Sequence, residues 1–369
     1  MKAFLYKAKN HLEAKNIEKT ALEKDGAIIK VSGCGLCGSD IVKLKEGLVK
    51  EGTVLGHEVV GIIEEIKTKT GFKIGDRVVL GHHVPCYNCV YCKNQNYSMC
   101  PEFKASNIIP GGFCEYIYVS ERHLEDTVQK VPENLSDIQA SFTEPSACCL
   151  RAIRRANIKK GDIAMVIGLG SIGLLMGQIL KSFGASIIGC DLIEERIKLA
   201  EKLGFDKVYN ANNLNSEQKN CHSELDSESV QQTKSIFNAK QTLKQVQGDI
   251  MTRYDKINAD AVFLASGSEK TIPLALKCVR NGGVICVFSS VHSSESGFSN
   301  NEIYYRDLTV FGSYSPASSD LKDALELLKH NIIKVDGLTT DYSFEEINQA
   351  VADTLSNRII KAYIKINNN

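Results

Sequence analysis

The sequence predicts an α/β chain in which a lobe of antiparallel strands precedes a doubly wound parallel sheet. Residues 1 to about 135 read as short apolar strands separated by glycine-rich turns, a pattern typical of antiparallel pairing. From residue 163 onward, β-branched runs alternate with stretches of helical periodicity, as in parallel strands joined by crossover helices. The 369 residues are enough for two domains that each bury a core.

Composition argues against several classes of function. The 44 basic and 44 acidic residues balance, so the sequence predicts neither a nucleic-acid partner nor an anionic membrane surface. The N-terminal residues lack a signal-peptide core, and no apolar run approaches the roughly 18 residues of a membrane helix. The 13 cysteines cannot form a complete disulfide set, which predicts a cytoplasmic protein with metal ligands and free thiols.

Elements of the first lobe follow one another at short intervals. Strand candidates are the runs AIIKVSG, VLGHEVVGIIEEI, DRVVLG and FCEYIYVS. Ser136 and Gln139 then form a capping box, which predicts that helical structure begins there.

The second part contains six short apolar strand candidates. They lie at 163–167, 186–190, 206–210, 260–265, 284–288 and 308–312. Six strands with helices after most of them make the two halves of a doubly wound sheet. A helix is predicted near 318–331, and the last segment, from Tyr342, is expected to return to the first lobe.

The stretch 163–191 carries the strongest functional signal, because a Gly-x-Gly-x-x-Gly turn joins a predicted strand to a predicted helix. Gly168 permits the tight turn, and Gly170 lets the backbone approach a pyrophosphate. Ile172 lies inside the motif, and Gly173 allows close packing of helix on strand. The N–H groups of the first helical turn would face the phosphates. A glycine turn without a ligand is the alternative. The flanking strand and helix, together with Asp191 at the end of the next strand, disfavour it.

Asp191 ends the second strand of this unit. Its carboxylate is expected to accept hydrogen bonds from the adenosine ribose and to repel a 2′-phosphate, which predicts NAD rather than NADP. Arg196 is the residue that would reach such a phosphate if the cofactor were NADP, and a helix-surface role is its alternative.

Four cysteines at C-x2-C-x2-C-x7-C spacing predict a structural zinc site. Thiolates of Cys86, Cys89, Cys92 and Cys100 can converge on one ion and fill all four tetrahedral positions. An iron–sulfur cluster is the weaker alternative, because its cysteine run needs a different spacing before the fourth ligand.

A second set of metal ligands comes from three separate stretches. Cys37 lies in GCGLCGSD, His57 and Glu58 lie in VLGHEVVG, and Glu144 lies in SFTEPSACCL. Three protein ligands with one open position are the arrangement of catalytic zinc.

These motifs resemble those of the zinc-dependent medium-chain alcohol dehydrogenases, nearest to the polyol (sorbitol-type) and threonine dehydrogenase branch. GLCGSD, GHE, the four-cysteine lobe, GGFCEY, TEPSACC and GLGSIG occur in the order of that family. The resemblance implies a GroES-like catalytic domain at 1–149 and a Rossmann NAD-binding domain at 150–314. It also implies a C-terminal segment, 315–369, that returns to the catalytic domain.

The same resemblance implies roles for the site residues. Cys37, His57 and Glu144 would hold one catalytic zinc ion, with Glu58 as an alternate ligand or water-holder. Asp40 would fix the His57 tautomer, and Ser39 would accept the first proton. Val42 stands where many relatives carry a proton-releasing histidine, so the end of the proton relay is not predicted.

The function that follows is hydride transfer between a small-molecule alcohol or polyol and NAD, by a homo-oligomer that is a dimer or a tetramer. One alternative is a reductase that runs the same reaction in reverse on a ketone or aldehyde. Another is a zinc-stabilised NAD-binding redox sensor without catalysis, which the presence of an open ligand set disfavours.

The segment 216–249 does not fit the alternating pattern, because one crossover helix would suffice there. It is polar and rich in Gln, Ser and Lys, which predicts an inserted surface segment. A tolerated insertion is favoured over a regulatory or partner-binding role.

Overall fold

The computed structural model describes residues 1–22, 24–212, 257–290 and 297–367. The chain divides into two compact units, one formed by Met1–Arg151 with Tyr314–Asn369 and the other by Ala152–Ser313. No helix in the described part of the chain is long and apolar enough to cross a membrane. The predicted insertion at 216–249 lies outside the described residues.

Strands and helices follow in chain order. The strands are β1 Lys2–Ala8, β2 His11–Asn16, β3 Gly26–Gly35, β4 Glu58–Ile66, β5 Arg77–Val79, β6 Tyr116–Ser120, β7 Gln129–Lys130, β8 Ile163–Ile167, β9 Ser186–Asp191, β10 Lys207–Asn210, β11 Ala259–Leu264, β12 Val279–Val287, β13 Thr309–Gly312, β14 Thr339–Ser343 and β15 Lys361–Lys365. The helices are α1 Gly38–Glu46, α2 Val90–Lys93, α3 Pro101–Ala105, α4 Glu121–Asp126, α5 Asp137–Ser141, α6 Thr143–Ala156, α7 Ser171–Ser182, α8 Glu194–Lys202, α9 Thr271–Cys278, α10 Asn300–Tyr305, α11 Ser318–Lys329 and α12 Ile347–Leu355.

The first unit is built on a sheet with strand order β14-β15-β3-β4-β5-β7, and β6 also pairs with β3. Its neighbouring strands are antiparallel except for β14 and β15, which run parallel. β15 pairs with β3, where Tyr363 lies opposite Gly35, so the last strand lies in the sheet of the N-terminal part. Apolar side chains such as Ile29 and Ile63 fill the core of this unit.

Short helices interrupt this lobe, which the sequence had suggested to be all β. Helix α1 starts where Cys37 acts as N-cap, and the glycines of GLCGSD obscure its periodicity. Helices α2 and α3 have four and five residues, too few to show a helical period. The predicted capping box of Ser136 and Gln139 is present and begins α5.

The second unit is a six-stranded parallel sheet in the order β10-β9-β8-β11-β12-β13, which confirms the predicted doubly wound fold. Each of the six predicted strands is observed. The largest difference between a predicted and an observed strand is at β12, which begins at Val279 rather than at residue 284. The reason is that Val279 already pairs with Ala259, before the chain turns through Gly282 and Gly283.

Candidate active site

One group of metal-binding side chains in the first unit consists of Cys37, His57 and Glu58. Their ligand atoms all lie within 4.8 Å of one another. His57 and Glu58 are buried, and Cys37 is half-buried. A thiolate, an imidazole and a carboxylate at this spacing suit a divalent transition metal, above all zinc.

Helix α1 positions the thiol of this group. Cys37 caps its N-terminus, and Cys37 Sγ accepts hydrogen bonds from the backbone N–H of Ser39 at 3.5 Å and from Ser39 Oγ at 3.4 Å. Asp40, on the same helix and fully buried, places Oδ2 3.4 Å from His57 Nδ1. This contact leaves His57 Nε2 available to a metal.

The carboxylate of Glu58 is held in a buried ion pair with Lys361. The two side chains are only 1% and 3% exposed. Burial disfavours the charge on Lys361, but Glu58 and Cys37 outweigh it and hold the pKa of Lys361 above its ordinary value. A Cβ at Gly35 would lie 2.0 Å from Glu58 Oε2, so this glycine makes room for the carboxylate. Glu58 Oε1 is buried and has no hydrogen-bond partner among the described residues, which fits a metal ligand.

Glu144 lies outside the group of three ligands. It is buried in the first turn of α6, where its Oε1 accepts a hydrogen bond from Cys148 Sγ at 3.4 Å. Burial raises the pKa of Glu144, against the opposing charge of His57. The structure therefore brings Glu58 to Cys37 and His57 and places Glu144 as a neighbouring carboxylate.

The four cysteines of the lobe form a second group. The Sγ atoms of Cys86, Cys89, Cys92 and Cys100 lie within 4.8 Å of one another. Cys92 Sγ is 3.9 Å from Cys86 Sγ and 3.6 Å from Cys89 Sγ. A tetrahedral zinc ion with Zn–S bonds of about 2.3 Å separates its sulfurs by about 3.8 Å, so these four sites fit zinc.

Hydrogen bonds and burial shift the pKa values of two of these thiols in opposite directions. The backbone N–H groups of Asn88 and Cys89 lower the pKa of Cys86 to about 6. Burial raises the pKa of Cys92 to about 12, and the neighbouring cysteines add to that rise. A cation held between these sulfurs would favour the thiolate forms of Cys86 and Cys92.

The glycine motif of the second unit is shaped as a dinucleotide would require. Gly168 has a φ of 97°, and a Cβ at Gly173 would lie 1.9 Å from Gly168 O, so the turn and the helix packing both demand glycine. A Cβ at Gly170, the N-cap of α7, would meet no protein atom within 4 Å. Packing thus gives no reason for Gly170, whereas an approaching pyrophosphate does. Ile172 lies in the first turn of α7.

Asp191 ends β9 and is already hydrogen-bonded by the backbone. Its Oδ1 accepts from the N–H groups of Leu192 and Ile193 at 2.7 and 2.9 Å, and Oδ2 accepts from Leu169 N–H at 2.6 Å. A carboxylate accepts about four hydrogen bonds, so Oδ2 keeps capacity for one more. Arg196 Nη1 lies 3.8 Å from the same Oδ2.

Comparison with known proteins identifies the family. The model of the alcohol dehydrogenase GroES-like domain matches residues 23–133, and the model named zinc-binding dehydrogenase matches residues 171–330. The chain belongs to the zinc-dependent medium-chain alcohol dehydrogenase family.

Several relatives of this dehydrogenase match along nearly their whole length. It is 28% identical to a probable D-xylulose reductase A from Aspergillus clavatus, over 91% of this chain and 88% of the relative. It is 26% identical to sorbitol dehydrogenase from Bacillus subtilis, over 96% of this chain and 94% of the relative. A solved oxidoreductase of unknown specificity from Escherichia coli matches with a TM-score of 0.81 and 26% identity, over 100% and 99% of the two chains.

Sequence reasoning missed Lys361, His82 and His83 in this dehydrogenase. Lys361 shares its strand face with the exposed Lys365, so alternation alone gave no signal for a buried charge. The pair His82-His83 directly precedes the four-cysteine lobe, and its rings continue from His57, at centroid distances of 4.6 Å and then 4.1 Å. The two adjacent histidines near the first lobe cysteine were the available signal.

Proposed function

We propose that this zinc-dependent dehydrogenase transfers a hydride between a secondary hydroxyl group of a polyol and NAD. The observation that carries the proposal is the grouping of Cys37, His57 and Glu58 in a chain that also presents a four-cysteine zinc lobe. A closed four-sulfur site supports structure, whereas a three-ligand site leaves a position for substrate.

Zinc held by Cys37 and His57 would supply Lewis-acid polarisation of the substrate oxygen. The grouping favours Glu58 over Glu144 as the third ligand, and Glu144 then remains a nearby carboxylate. Asp40 keeps the His57 ring in one orientation through Nδ1. Ser39, whose hydroxyl now donates to Cys37 Sγ, is proposed to take the proton from the substrate hydroxyl.

The cofactor assignment rests on the second unit. Gly168, Gly170 and Gly173 would admit the pyrophosphate, with Ile172 at the helix start beside it. Asp191 would accept a ribose hydroxyl at its remaining Oδ2 position, which excludes a 2′-phosphate by charge. Arg196, near that carboxylate, would line the same end of the cofactor.

Relatives support a polyol substrate. The relatives named D-xylulose reductase and sorbitol dehydrogenase are named for a ketose and a polyol, which are the two sides of one kind of reaction. The reductase alternative is thus the same chemistry in the opposite direction.

A test combines metal analysis with an activity panel. Purified protein should contain two zinc ions per chain and should reduce NAD faster than NADP in the presence of xylitol, sorbitol or butane-2,3-diol. Iron with acid-labile sulfide, or no nicotinamide reduction with any alcohol, would reject the proposal.

The proposal includes a cytoplasmic homo-oligomer. Cytoplasmic location is supported by cysteines that are free thiols throughout the described chain. An oligomer is supported by β13, an edge strand of the parallel sheet, which follows the exposed Tyr304 and Tyr305. Sedimentation that gives a single-chain mass at micromolar concentration would reject this part.

A further inference from the structure

A small cavity lies within the first unit, one imidazole ring beyond the candidate metal ligands. Its walls include Gly81, His82, His83, Thr127 and Ser315. Its volume is about 10 Å³, which is room for one water-sized group.

The two histidines connect this cavity to the metal group. The His82 ring lies 4.6 Å from the His57 ring, and the His83 ring lies 4.1 Å from the His82 ring, between centroids. The far side of His83 packs on Phe103 at 4.8 Å. The three rings therefore form a continuous series from the candidate metal ligand His57 to the wall of the cavity.

One polar atom on this wall lacks a partner. His83 Nδ1 is buried, and no described residue forms a hydrogen bond with it. A buried polar atom without a partner costs roughly 1–3 kcal/mol, so a native site normally supplies one. A hydroxyl group or a water molecule in the cavity would satisfy it.

The surrounding chain fixes the position of this segment. His123 Nε2–H donates to His82 O at 3.2 Å, and because a carbonyl only accepts, His123 Nδ1 must accept from Ser120 Oγ at 2.8 Å. Val84 is tied to Ser106 by two hydrogen bonds, of 2.7 and 2.9 Å. The histidines between these anchors are therefore held in place before a ligand arrives.

Another residue of the cavity wall has a strained backbone. Ser315 has a φ of 63°, in the left-handed region that residues with a side chain rarely adopt. Strain of this kind costs about 1–3 kcal/mol and clusters at ligand sites.

We propose that His83, with His82 beside it, forms a subsite for a second hydroxyl group of the substrate and thereby selects polyols over simple alcohols. This inference rests on the proposed function. Burial lowers the pKa of His83 to about 4, so its imidazole is neutral and offers one donor and one acceptor. A hydroxyl group can pair with Nδ1 of this neutral ring in either tautomer, because it donates to an unprotonated nitrogen and accepts from a protonated one, whereas an anion can only accept.

The test compares butane-2,3-diol with butan-2-ol, which differ by one hydroxyl group. The wild-type zinc enzyme should prefer the diol in kcat/KM, and His83→Phe, which keeps the ring packing, should lower kcat/KM for the diol about tenfold. The value for butan-2-ol should change less than about twofold. His83→Asn, which keeps a donor and an acceptor, should recover most of the loss. His330 lies on the exposed surface, so His330→Phe should leave kcat/KM unchanged for both substrates.

A binding measurement separates this inference from the proposed function. Xylitol should raise the Tm of the zinc-loaded wild type and of His83→Asn, and at the same xylitol concentration it should raise the Tm of His83→Phe less. Equal losses for diol and butan-2-ol in His83→Phe, no preference of the wild type for the diol, or an unchanged xylitol shift would overturn the subsite. No turnover of any alcohol by the wild type would overturn the proposed function instead, while the xylitol shift would still decide the subsite.

Discussion

The two metal groups of this dehydrogenase are built in opposite ways. The four cysteines of the lobe come from one stretch, 86–100, and their sulfurs receive hydrogen bonds from the backbone of the same loop. The other group takes Cys37 from the start of α1 and Glu58 from the start of β4, and it depends on Lys361 from β15. A local site needs only a loop of the right spacing, whereas a dispersed site needs the finished sheet.

This difference predicts that the lobe metal contributes mainly to folding and that the metal of the dispersed group contributes mainly to catalysis. In the described part of the chain, the apolar cluster of the lobe contains only its cysteines, Phe103 and the half-buried Tyr97, so we expect its shape to depend on zinc. The dispersed group lies against the large core of the first unit, so we expect its residues to keep their positions when no metal is bound.

The largest effect is expected from Cys92→Ser in the lobe. Structural zinc contributes about 10–16 kcal/mol in small zinc domains, so the variant should lose one zinc ion per chain together with most of its soluble, folded yield. Zinc content and thermal unfolding measure this. Cys278→Ser, at a buried thiol outside both metal groups, is the control and should keep both zinc ions. Full zinc content in Cys92→Ser would contradict the closed site.

Cys37→Ser should produce the reverse pattern. Loss of Lewis-acid stabilisation worth several kcal/mol should lower kcat by roughly 10³-fold. The Tm should stay within a few degrees of wild type, because the surrounding core remains intact. A fall in Tm as large as that of Cys92→Ser would show that both sites contribute equally to folding.

Lys361→Met tests the charge that supports the dispersed site. Removal of one partner from a buried ion pair costs about 3–5 kcal/mol, because Glu58 is left with an uncompensated charge. Urea unfolding of protein that keeps the zinc of the four-cysteine lobe measures this cost. Lys361→Arg should retain most of the stability, and the double variant Lys361→Met with Glu58→Gln should recover much of the loss. If the losses in the free energy of unfolding of the two single variants add up in the double variant, Lys361 and Glu58 do not stabilise each other.

The contrast between a local and a dispersed site also explains which features could be predicted from the sequence. The four-cysteine site, the glycine turn and the six parallel strands are local patterns, and each was readable from spacing or periodicity. Glu58, and not Glu144, groups with Cys37 and His57. This choice depends on how β4 and α6 pack, and a local sequence pattern does not predict packing. Lys361, the ion-pair partner of Glu58, lies more than three hundred residues from it along the chain. No sequence pattern near either residue predicts the pair.

The smallest expected effect concerns Arg151, which ties the lobe to the helix that carries Glu144. Arg151 is buried, its Nη2 donates to Gln95 O at 2.8 Å, and its guanidinium lies 5.5 Å from the centroid of the Tyr97 ring. A hydrogen bond from a charged donor contributes about 1.5–3 kcal/mol. Arg151→Met should therefore lower the free energy of unfolding by that amount and hasten zinc loss from the lobe.

A chelator with a colour change on zinc binding separates the two ions by their release rates. In Arg151→Met the release from the lobe should accelerate about tenfold, which corresponds to about 1.4 kcal/mol, while release from the Cys37 group stays unchanged. Arg154→Met, at an exposed position of the same helix, is the matched control and should alter neither rate. If both release rates rise together in Arg151→Met, the two metal sites belong to one unfolding unit. The four-cysteine site would then depend on the sheet, although its ligands all come from one short stretch of sequence.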